Sequence, residues 1–473
     1  MTSAEKAYDV VVLGAGSTGE NVADIAVRGG LSAVLVEAEL VGGECSYWAC
    51  MPSKTLLRGS EALAAARAVR GAAAAVTGEQ DVAATLERRT SFTHAWDDSS
   101  QVEWVQGAGI DLVRGTGRLA GEKCVVVTRA DGTEVTVVAR HAVAVCTGST
   151  SAVPPVEGLA DVRPWTPREA TSATAAPGRL VVIGGGYVGC EMATAWQQLG
   201  SSVTLLQRGG RLLPALEPAA GDAVLTSLRE LGVDVRLGAD VQAARRDGHE
   251  VVITTADGEV RGDEVLVATG RAARTEDIGL DTVGLEPGAY LDVDESLRVP
   301  GTPWLYAVGD VNGRKQLTHM GKYQARQAGA AIVARARGEQ VGLGDWSPYV
   351  ATADRLATPS VVFTDPQVGA VGLTAAQAAE AGLPHRVVQY DIGSIAGAAV
   401  FADGYRGTAI AVVDTEREVL LGVTFIGPGV AELLHSATIA VVGEVPLSRL
   451  WHAVPSYPTI SEIWLRLLET YRG

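Results

Sequence analysis

A strand-length apolar run that ends in G-x-G-x-x-G and passes into a helical pattern occurs twice in this chain of 473 residues. The two copies begin at Tyr8 and Arg179. In such a unit the glycines let the backbone approach a pyrophosphate at the helix N-terminus, where N–H groups and the helix dipole favour negative charge. The repeat predicts two dinucleotide-binding folds of the Rossmann type and two bound nucleotides.

The first copy has the full set of residues for a dinucleotide. Its glycines are Gly14, Gly16 and Gly19, and the strand that follows the helical pattern ends in Glu37. An acid about 20 residues after the glycines can accept hydrogen bonds from a ribose hydroxyl. We interpret these four residues as cofactor-binding residues.

The second copy differs at the end of its second strand, where Gln207-Arg208 replaces the acid and Arg211 follows. An arginine can hold a 2′-phosphate through two hydrogen bonds, whereas a carboxylate would repel it. This favours NADPH over NADH, and NADH stays the alternative if both arginines are solvated loop residues. The glycines of this copy are Gly184, Gly186 and Gly189.

Two further strands end in Thr-Gly, a sequence that lets the backbone cross close to a bound nucleotide. One ends at Thr147-Gly148 and the other at Thr269-Gly270. We therefore add Thr147, Gly148 and Gly270 to the predicted cofactor-binding residues.

The net charge and the hydropathy pattern of the chain limit the kinds of partner that it can bind. Lys and Arg total 39 against 55 Asp and Glu, a formal net charge of −16. Nucleic acids and anionic membranes both attract clustered positive charge, so neither is an expected partner. The chain does not open with a targeting pattern, and its longest apolar stretch, Val419–Val442, contains Glu432 and Gly427–Gly429. We expect a soluble, cytoplasmic protein without a membrane segment.

A close cysteine pair lies directly after the first fold, in the segment Gly42–Lys54. In an ideal helix, Cα atoms five residues apart are about 8–9 Å apart, whereas a disulfide needs about 4.4–6.8 Å. If Cys45 and Cys50 are bonded, Cys45 must lie in a distorted turn that leads into a helix. A helix N-terminus here lowers a thiol's pKa and favours a nucleophilic thiolate. Zinc is the competing interpretation, but it needs about four ligands, and no other Cys or His is near in sequence. The other cysteines are interpreted as inert: Cys124, Cys146 and Cys190.

The arrangement G-G-x-C-x4-C-x-P-S-K between two nucleotide folds resembles the class I flavin disulfide reductases, such as dihydrolipoamide dehydrogenase, glutathione reductase, mycothione reductase and mercuric reductase. Trp304–Val311 is similar to the family's second FAD motif, and Val362–Gly372 to the start of its dimerisation domain. Pro458–Glu462 is similar to the C-terminal motif H-P-T-x-S-E. The resemblance covers essentially the whole chain.

The resemblance implies an α/β protein with two Rossmann-like dinucleotide-binding domains and a C-terminal α+β dimerisation domain. FAD would bind to residues 1–150 and 273–345, and NAD(P) to residues 151–272. Residues 346–473 would form the interface of a homodimer whose C-terminal motif completes the partner's site.

The resemblance also implies the chemistry. Hydride passes from reduced nicotinamide to FAD, and electrons pass on to a Cys45–Cys50 disulfide. Cys50 then holds a thiolate against the flavin, and Cys45 exchanges with a small-molecule acceptor. Asp310 would bind the ribityl side of FAD. Lys54 and Glu191 match the family's lysine–glutamate pair near the flavin, with a plain structural ion pair as the alternative.

The chain departs from the family pattern at Tyr457, where the C-terminal motif usually has its acid/base histidine. A phenol has a pKa of about 10 against about 6.5 for imidazole, so it is a poor base at neutral pH. We therefore predict weak activity on lipoamide or glutathione-like disulfides. His452 either substitutes for the missing base or is a loop histidine. Glu462 has lost its imidazole partner and is expected to hold Tyr457 or a water instead.

The acceptor stays open. A thiol or disulfide acceptor and an enzyme similar to dihydrolipoamide dehydrogenase are favoured, and a quinone or a metal ion is the alternative acceptor. Mercuric reductases deliver their metal through a C-terminal cysteine pair, which the end of this chain, Glu469–Gly473, does not have. A redox-inactive sensor or interaction protein is a third possibility. Trp48, between the two cysteines, either stacks on an aromatic acceptor or fills space.

Overall fold

The computed structural model describes residues 5–473, which divide into two compact units. The first unit contains the chain up to Pro52, together with Thr90–Ala152 and Gly270–Asp354. The second contains Ser53–Arg89, Val153–Thr269 and Arg355–Gly473. Each unit is therefore assembled from separate stretches of sequence.

The strands are β1 (Glu5–Leu13), β2 (Ala33–Glu37), β3 (Asp111–Arg114), β4 (Thr116–Leu119), β5 (Cys124–Thr128), β6 (Glu134–Val145), β7 (Ser149–Ser151), β8 (Arg179–Ile183), β9 (Ser202–Gln207), β10 (Asp234–Leu237), β11 (Val241–Asp247), β12 (Glu250–Thr255), β13 (Gly258–Gly262), β14 (Glu264–Val267), β15 (Arg271–Ala273), β16 (Leu305–Ala307), β17 (Pro359–Val362), β18 (Gln367–Gly372), β19 (His385–Asp391), β20 (Thr408–Asp414) and β21 (Val419–Gly427).

The α-helices are α1 (Ser17–Arg28), α2 (Gly43–Tyr47), α3 (Cys50–Arg67), α4 (Arg70–Ala73), α5 (Val82–Phe92), α6 (Ser99–Gly107), α7 (Pro167–Ser172), α8 (Tyr187–Gln198), α9 (Pro218–Glu230), α10 (Thr318–Ala336), α11 (Ala353–Leu356), α12 (Ala375–Glu380), α13 (Ala396–Phe401), α14 (Val430–Val442), α15 (Leu447–Leu450) and α16 (Ile463–Arg472). Short 3-10 turns are formed by His94–Trp96, Leu280–Val283, Asp310–Asn312, Ile392–Ser394 and Ile460–Glu462.

The first unit is built on a seven-stranded sheet with the order β3-β2-β1-β6-β5-β4 and with β16 beside β6. The strands β3, β2, β1, β6 and β16 are parallel, as the glycine motif predicts. Val10–Leu13 is buried along its whole length, which is typical of a parallel strand covered on both faces. On one face, α1 and α10 pack so closely that a Cβ on Gly329 would lie 2.6 Å from Ile25.

The second unit contains a parallel sheet with the order β10-β9-β8-β14, an antiparallel sheet β11-β12-β13, and a five-stranded antiparallel sheet β17-β18-β21-β20-β19. The parallel sheet is the second predicted nucleotide fold, and the five-stranded sheet lies in the region predicted to be α+β. Helix α14 packs on the five-stranded sheet. The mixed α/β class predicted from the sequence is confirmed.

Within residues 5–473, no helix combines the length and the apolar character that crossing a bilayer requires.

Candidate functional site

The first glycine turn has no room for side chains at two of its positions. Gly14 has φ +97°, and a Cβ there would lie 2.5 Å from the carbonyl oxygen of Cys146. A Cβ on Gly19 would lie 1.9 Å from the carbonyl oxygen of Gly14. The backbone therefore closes tightly at the N-terminus of α1, which is the geometry that a dinucleotide's pyrophosphate needs.

Glu37 fixes this turn from the end of β2. Its carboxylate accepts hydrogen bonds from the backbone N–H groups of Ala15 and Glu39, each at 2.7 Å. Burial is the largest influence on this side chain and raises the pKa of Glu37. The predicted ribose-binding acid thus lies beside the turn and also holds it in shape.

The cysteine segment begins against the same turn. Gly16 and Gly42 pair as parallel neighbours, and the Gly42 N–H donates to the carbonyl of Ala15 at 2.8 Å. A Cβ on Gly43 would lie 2.9 Å from the Cα of Gly16, so only glycine fits here. The first nucleotide fold therefore positions the segment that carries the cysteines.

Cys45 lies within α2, Cys50 is the first residue of α3, and both are thiols in this structure. Their side chains are hydrogen-bonded to each other, and Thr318 contacts both, with its Oγ1 3.1 Å from the Cys50 Sγ. The hydrogen bond to Cys50 and burial raise the pKa of Cys45, against smaller lowering effects of Thr318 and Lys322. The expectation of a thiol pKa lowered by a helix N-terminus concerns the helix that begins at Cys50, and it stays a prediction.

Thr318 is a site residue that the sequence did not reveal. It opens α10 and is separated by 268 residues from Cys50. A threonine at the start of a helix is a weak signal, and no spacing rule relates it to a cysteine so distant in sequence.

The predicted second cofactor motif lies against α1. A Cβ on Gly309 would be 2.8 Å from the hydroxyl of Thr18, and Asp310 is the next residue. The Asp310 carboxylate accepts a hydrogen bond from the Ser149 hydroxyl at 2.5 Å, and burial raises its pKa. The structure thus brings Asp310 to the same end of the sheet as the first glycine turn.

Thr147 and Gly148 form the turn after β6, with φ +74° at Gly148. The Thr147 hydroxyl donates to the carbonyl of Arg274 at 2.7 Å. Gly270 has φ +155°, and its carbonyl accepts a hydrogen bond from the Ala152 N–H at 3.0 Å. Gly148 and Gly270 therefore flank opposite ends of the short antiparallel ladder that β7 forms with β15.

The second glycine turn repeats the first in the second unit. Gly184 has φ +112°, and a Cβ there would lie 2.4 Å from the carbonyl oxygen of Ala268. A Cβ on Gly189 would lie 1.8 Å from the Gly184 oxygen, and Gly186 precedes α8 as its N-cap. The Gly185 N–H donates to the side-chain oxygen of Gln207 at 2.8 Å. Gln207 thus takes the place that Glu37 has in the first turn.

The two candidate phosphate-binding arginines differ in their surroundings. Arg208 is exposed beside Gln207. Arg211 donates to the carbonyl of Pro214 at 2.5 Å, so part of its guanidinium closes its own loop.

Lys54 and Glu191 form an ion pair in the second unit, with 2.7 Å between Nζ and Oε2. The other oxygen of the buried Glu191 accepts from the N–H of Phe363 at 3.0 Å, and the Lys54 ammonium lies 4.9 Å from the centre of the Phe363 ring. The predicted pair is thus brought together, with the glutamate fixed at both oxygens.

The C-terminal motif has no assembled acid/base pair within residues 5–473. Tyr457 has 76% of its surface exposed, and His452 is also exposed. Glu462 is buried and paired with Arg466 at 2.7 Å through Oε1, while its Oε2 has no hydrogen-bond partner in the described part of the chain. Arg466, one helical turn after Glu462, is the partner that the sequence interpretation missed.

The remaining cysteines are separate from this pair. Cys146 and Cys190 are buried, which raises the pKa of both thiols, to about 12 for Cys190. Cys124 is half-buried. Among the residues that the structure describes, no three His, Cys, Asp or Glu side chains come together as a potential metal site.

Comparison with known proteins assigns the family. Residues 8–330 match the family described as pyridine nucleotide-disulphide oxidoreductase, and residues 358–467 match its dimerisation domain. The chain belongs to the class I pyridine nucleotide-disulfide oxidoreductases. Members of this family use FAD and NAD(P)H, and this oxidoreductase is an FAD-dependent enzyme. The dimerisation domain supports a homodimer.

Individual relatives of this oxidoreductase differ in their named activities. It is 30% identical to a dihydrolipoyl dehydrogenase of Haloferax volcanii, over 98% of this chain and 96% of that protein. It is 31% identical to a mercuric reductase of Streptomyces lividans, over 100% and 98% of the two chains. The Cu(II) complex of the HOCl-induced flavoprotein disulfide reductase RclA from Escherichia coli superposes with a TM-score of 0.84 at 25% identity, over 98% of this chain and 99% of that one.

Proposed function

We propose that this enzyme uses Cys45 and Cys50 as a redox-active pair that passes electrons from NADPH to a small-molecule disulfide other than lipoamide or glutathione. The observation that carries the proposal is the contact of both thiols with each other and with Thr318, beside the first glycine turn. FAD, when bound there, supplies hydride acceptance from NADPH and electron transfer to a disulfide.

The two cysteines take different parts. Reduction of a Cys45–Cys50 disulfide by two electrons and one proton breaks the S–S bond and leaves one thiolate and one thiol. Cys50 holds the thiolate, because it is the first residue of α3 and is hydrogen-bonded to Thr318. Cys45, whose pKa is raised, holds the proton before exchange. Its sulfur attacks one sulfur of the acceptor disulfide, the acceptor's S–S bond breaks, and the proton passes to the leaving thiolate. Cys50 then attacks the mixed disulfide at Cys45, which re-forms the Cys45–Cys50 bond and releases the second half of the acceptor as a thiolate.

The other candidate residues bind and orient. Gly14, Gly16, Gly19, Glu37 and Asp310 hold FAD. Lys54 and Glu191, which are joined by a 2.7 Å ion pair, are assigned as the lysine–glutamate pair of this family. The division into FAD, NAD(P) and dimerisation domains at the boundaries given above belongs to the same proposal.

The nucleotide on the second fold is NADPH. Its glycines Gly184, Gly186 and Gly189 receive the pyrophosphate, and Arg208 at the strand end binds the 2′-phosphate. Gln207 supports this choice because its neutral amide closes the turn without adding negative charge.

Weak turnover of lipoamide is expected from the C-terminal motif. Tyr457 is a poor base at neutral pH, and Glu462 is already paired with Arg466. Removing a general acid/base costs about 10²–10⁴-fold in rate. An acceptor whose reduced form is a good leaving group depends less on such help.

The test combines a titration with three variants. Adding NADPH to the purified protein should produce the long-wavelength absorbance of a thiolate beside an oxidised flavin. Cys45→Ser should keep that absorbance but lose disulfide turnover, Cys50→Ser should lose both, and Cys124→Ser serves as the matched control. Absence of the absorbance in the wild type would contradict the dithiol mechanism.

A second variant tests the acceptor. Tyr457→His should raise lipoamide turnover by at least about 10-fold, because it restores the imidazole that the family's C-terminal motif carries at this position. Rapid lipoamide turnover by the wild-type enzyme would contradict the role assigned to Tyr457.

A metal ion or quinone as acceptor is the second candidate. Two relatives support the metal ion, since one is named a mercuric reductase and another was solved as a Cu(II) complex. In this chain, the Cys45 and Cys50 thiols and the exposed Met51 beside them are soft ligands. NADPH oxidation that depends on Hg²⁺, Cu²⁺ or a quinone and exceeds disulfide turnover would favour this candidate.

A further inference from the structure

Glu44, the residue directly before Cys45, lies among two arginines and a second acid. The Arg274 guanidinium donates to Glu44 Oε1 at 3.2 Å, and an Arg271 nitrogen lies 3.9 Å from Oε2. Arg271 also donates to the Ser149 hydroxyl at 2.5 Å and lies 3.7 Å from the Asp310 carboxylate. These contacts thus join the segment that carries Cys45 to the second cofactor motif, which contains Asp310.

The backbone of Arg274 is fixed on both sides. Its N–H donates to the Gly148 carbonyl at 3.1 Å, and its carbonyl accepts from the Thr147 hydroxyl at 2.7 Å. Glu44 then orients the guanidinium. A guanidinium has five N–H donors; the contact with Glu44 engages Nη2, and Nη1 lies 3.9 Å from a Glu39 carboxylate oxygen, which is too long for a hydrogen bond. The side chain is therefore held in place and still has donors for a further acceptor.

The position of this group relative to α1 indicates which acceptor that is. Gly43, next to Glu44, packs on Gly16 at the N-terminus of α1, where a pyrophosphate binds. Glu44 and Asp310 are close enough for the charge of Glu44 to raise the pKa of Asp310. A diphosphate brings further negative charge to a place that already holds these acids, so binding requires a cation there.

We propose that Arg274 is a ligand of the FAD diphosphate and that Glu44 holds its guanidinium in the binding orientation. This inference rests on the proposed binding of FAD to the first glycine turn. Arg274 then offsets the charge of Glu44 beside the diphosphate, and the same ion pair links cofactor binding to the turn that carries Cys45.

The rate of FAD release from the purified holoenzyme tests this directly. After dilution, flavin fluorescence reports each molecule that leaves the protein. Arg274→Met should release FAD about 10- to 100-fold faster, because a hydrogen bond between charged groups is lost. Glu44→Gln, which leaves the arginine in place but loosens it, should accelerate release by less than about 10-fold. Arg140→Met, which removes another arginine paired with an acid in the same unit, is the matched control.

Salt separates a diphosphate contact from a structural one. Raising KCl from about 0.05 M to about 0.5 M should speed release from the wild type more than from Arg274→Met, since the variant has lost a screened charge contact. Arg274→Lys should retain the salt dependence with an intermediate rate, and it carries the test if circular dichroism shows that Arg274→Met does not fold. Release of FAD from Arg274→Met at the wild-type rate would overturn the inference.

The outcomes distinguish this inference from the proposed function. A wild-type protein that holds no flavin contradicts the proposed function itself. The second case is a wild type that holds FAD and an Arg274→Met variant that changes only the thiol–disulfide equilibrium of Cys45 and Cys50, measured in a glutathione buffer. That result contradicts only the role of Arg274.

Discussion

The two glycine turns have nearly the same backbone and different chemistry at one side chain. In both, the first glycine has a positive φ, and a Cβ on the last glycine would lie within 2 Å of the first glycine's oxygen, at 1.9 Å and 1.8 Å. In both, the N–H after the first glycine donates to a side chain at the end of the next strand. That side chain is Glu37 in the first turn and Gln207 in the second. The glycines set the geometry, and the residue at the strand end sets the charge that a nucleotide meets.

The turns also differ in the segment that comes after the strand. After Glu37 the chain enters the Gly42–Cys50 segment, which packs on the first turn. After Gln207 it enters the basic loop of Arg208 and Arg211. In the proposed function, one structural unit thus supports two tasks, electron exchange in the first case and nucleotide recognition in the second.

Substituting the last glycine of each turn should give the largest effect and separate the two cofactors. Gly19→Ala should weaken FAD retention by about 100-fold, and Gly189→Ala should raise the KM for NADPH by about as much while flavin stays bound, because a Cβ at either position collides with a carbonyl oxygen. Flavin content and NADPH kinetics measure the two effects. Loss of flavin from Gly189→Ala would show that the turns are not independent.

Exchanging the side chain at the strand end should make the second turn resemble the first. Gln207→Glu should shift the ratio of kcat/KM for NADPH over NADH by about 10- to 100-fold towards NADH, because a carboxylate repels the 2′-phosphate. Gln207→Asn, which keeps the amide, is the control. A ratio unchanged by Gln207→Glu would place the phosphate elsewhere.

Substitutions of the two arginines in the basic loop should differ in their effect on the KM for NADPH. Arg208→Ala should raise the KM for NADPH by about 10-fold and leave that for NADH unchanged, whereas Arg211→Ala should have an effect below about threefold because Arg211 already bonds to its own loop. Initial rates with each nucleotide measure both. The reverse order would assign the phosphate contact to Arg211.

Substituting the residue after each glycine turn should give the smallest effect, and the quantity that changes is the stability of the fold. Burial raises the pKa of Glu20 to about 7, while Cys190 takes the equivalent place after Gly189. The folded protein therefore binds a proton that the unfolded chain releases between pH of about 4.5 and about 7, so stability falls as pH rises through this window.

Glu20→Gln should accordingly increase the free energy of unfolding at pH of about 8 by about 1 to 3 kcal/mol and leave it nearly unchanged at about 4.5. Urea denaturation at both pH values measures this difference. Cys190→Ala should shift stability equally at both, since the thiol stays protonated throughout. A Glu20→Gln effect independent of pH would mean that the pKa of Glu20 is the same in the folded and unfolded states.

How much could be predicted from the sequence depends on how local each signal is. The two nucleotide folds rest on contiguous strands and glycines, and both parallel sheets are confirmed. The pairing of Lys54 with Glu191 came from the family resemblance. Thr318 and Arg274 contact residues 268 and 230 positions away, which only the fold brings together.

Two other features of the site were not predicted, although their causes lie close by in the sequence. Arg466 pairs with Glu462 four residues earlier on the chain, a spacing at which oppositely charged residues on a helix meet. The raised pKa of Cys45 comes first from the thiol five residues away and then from burial.

The contact between Cys50 and Thr318 has a consequence for biosynthesis. Thr318 is made 268 residues after Cys50, so this contact forms only when most of the chain has been translated, and the final arrangement of the thiols is a late event in synthesis.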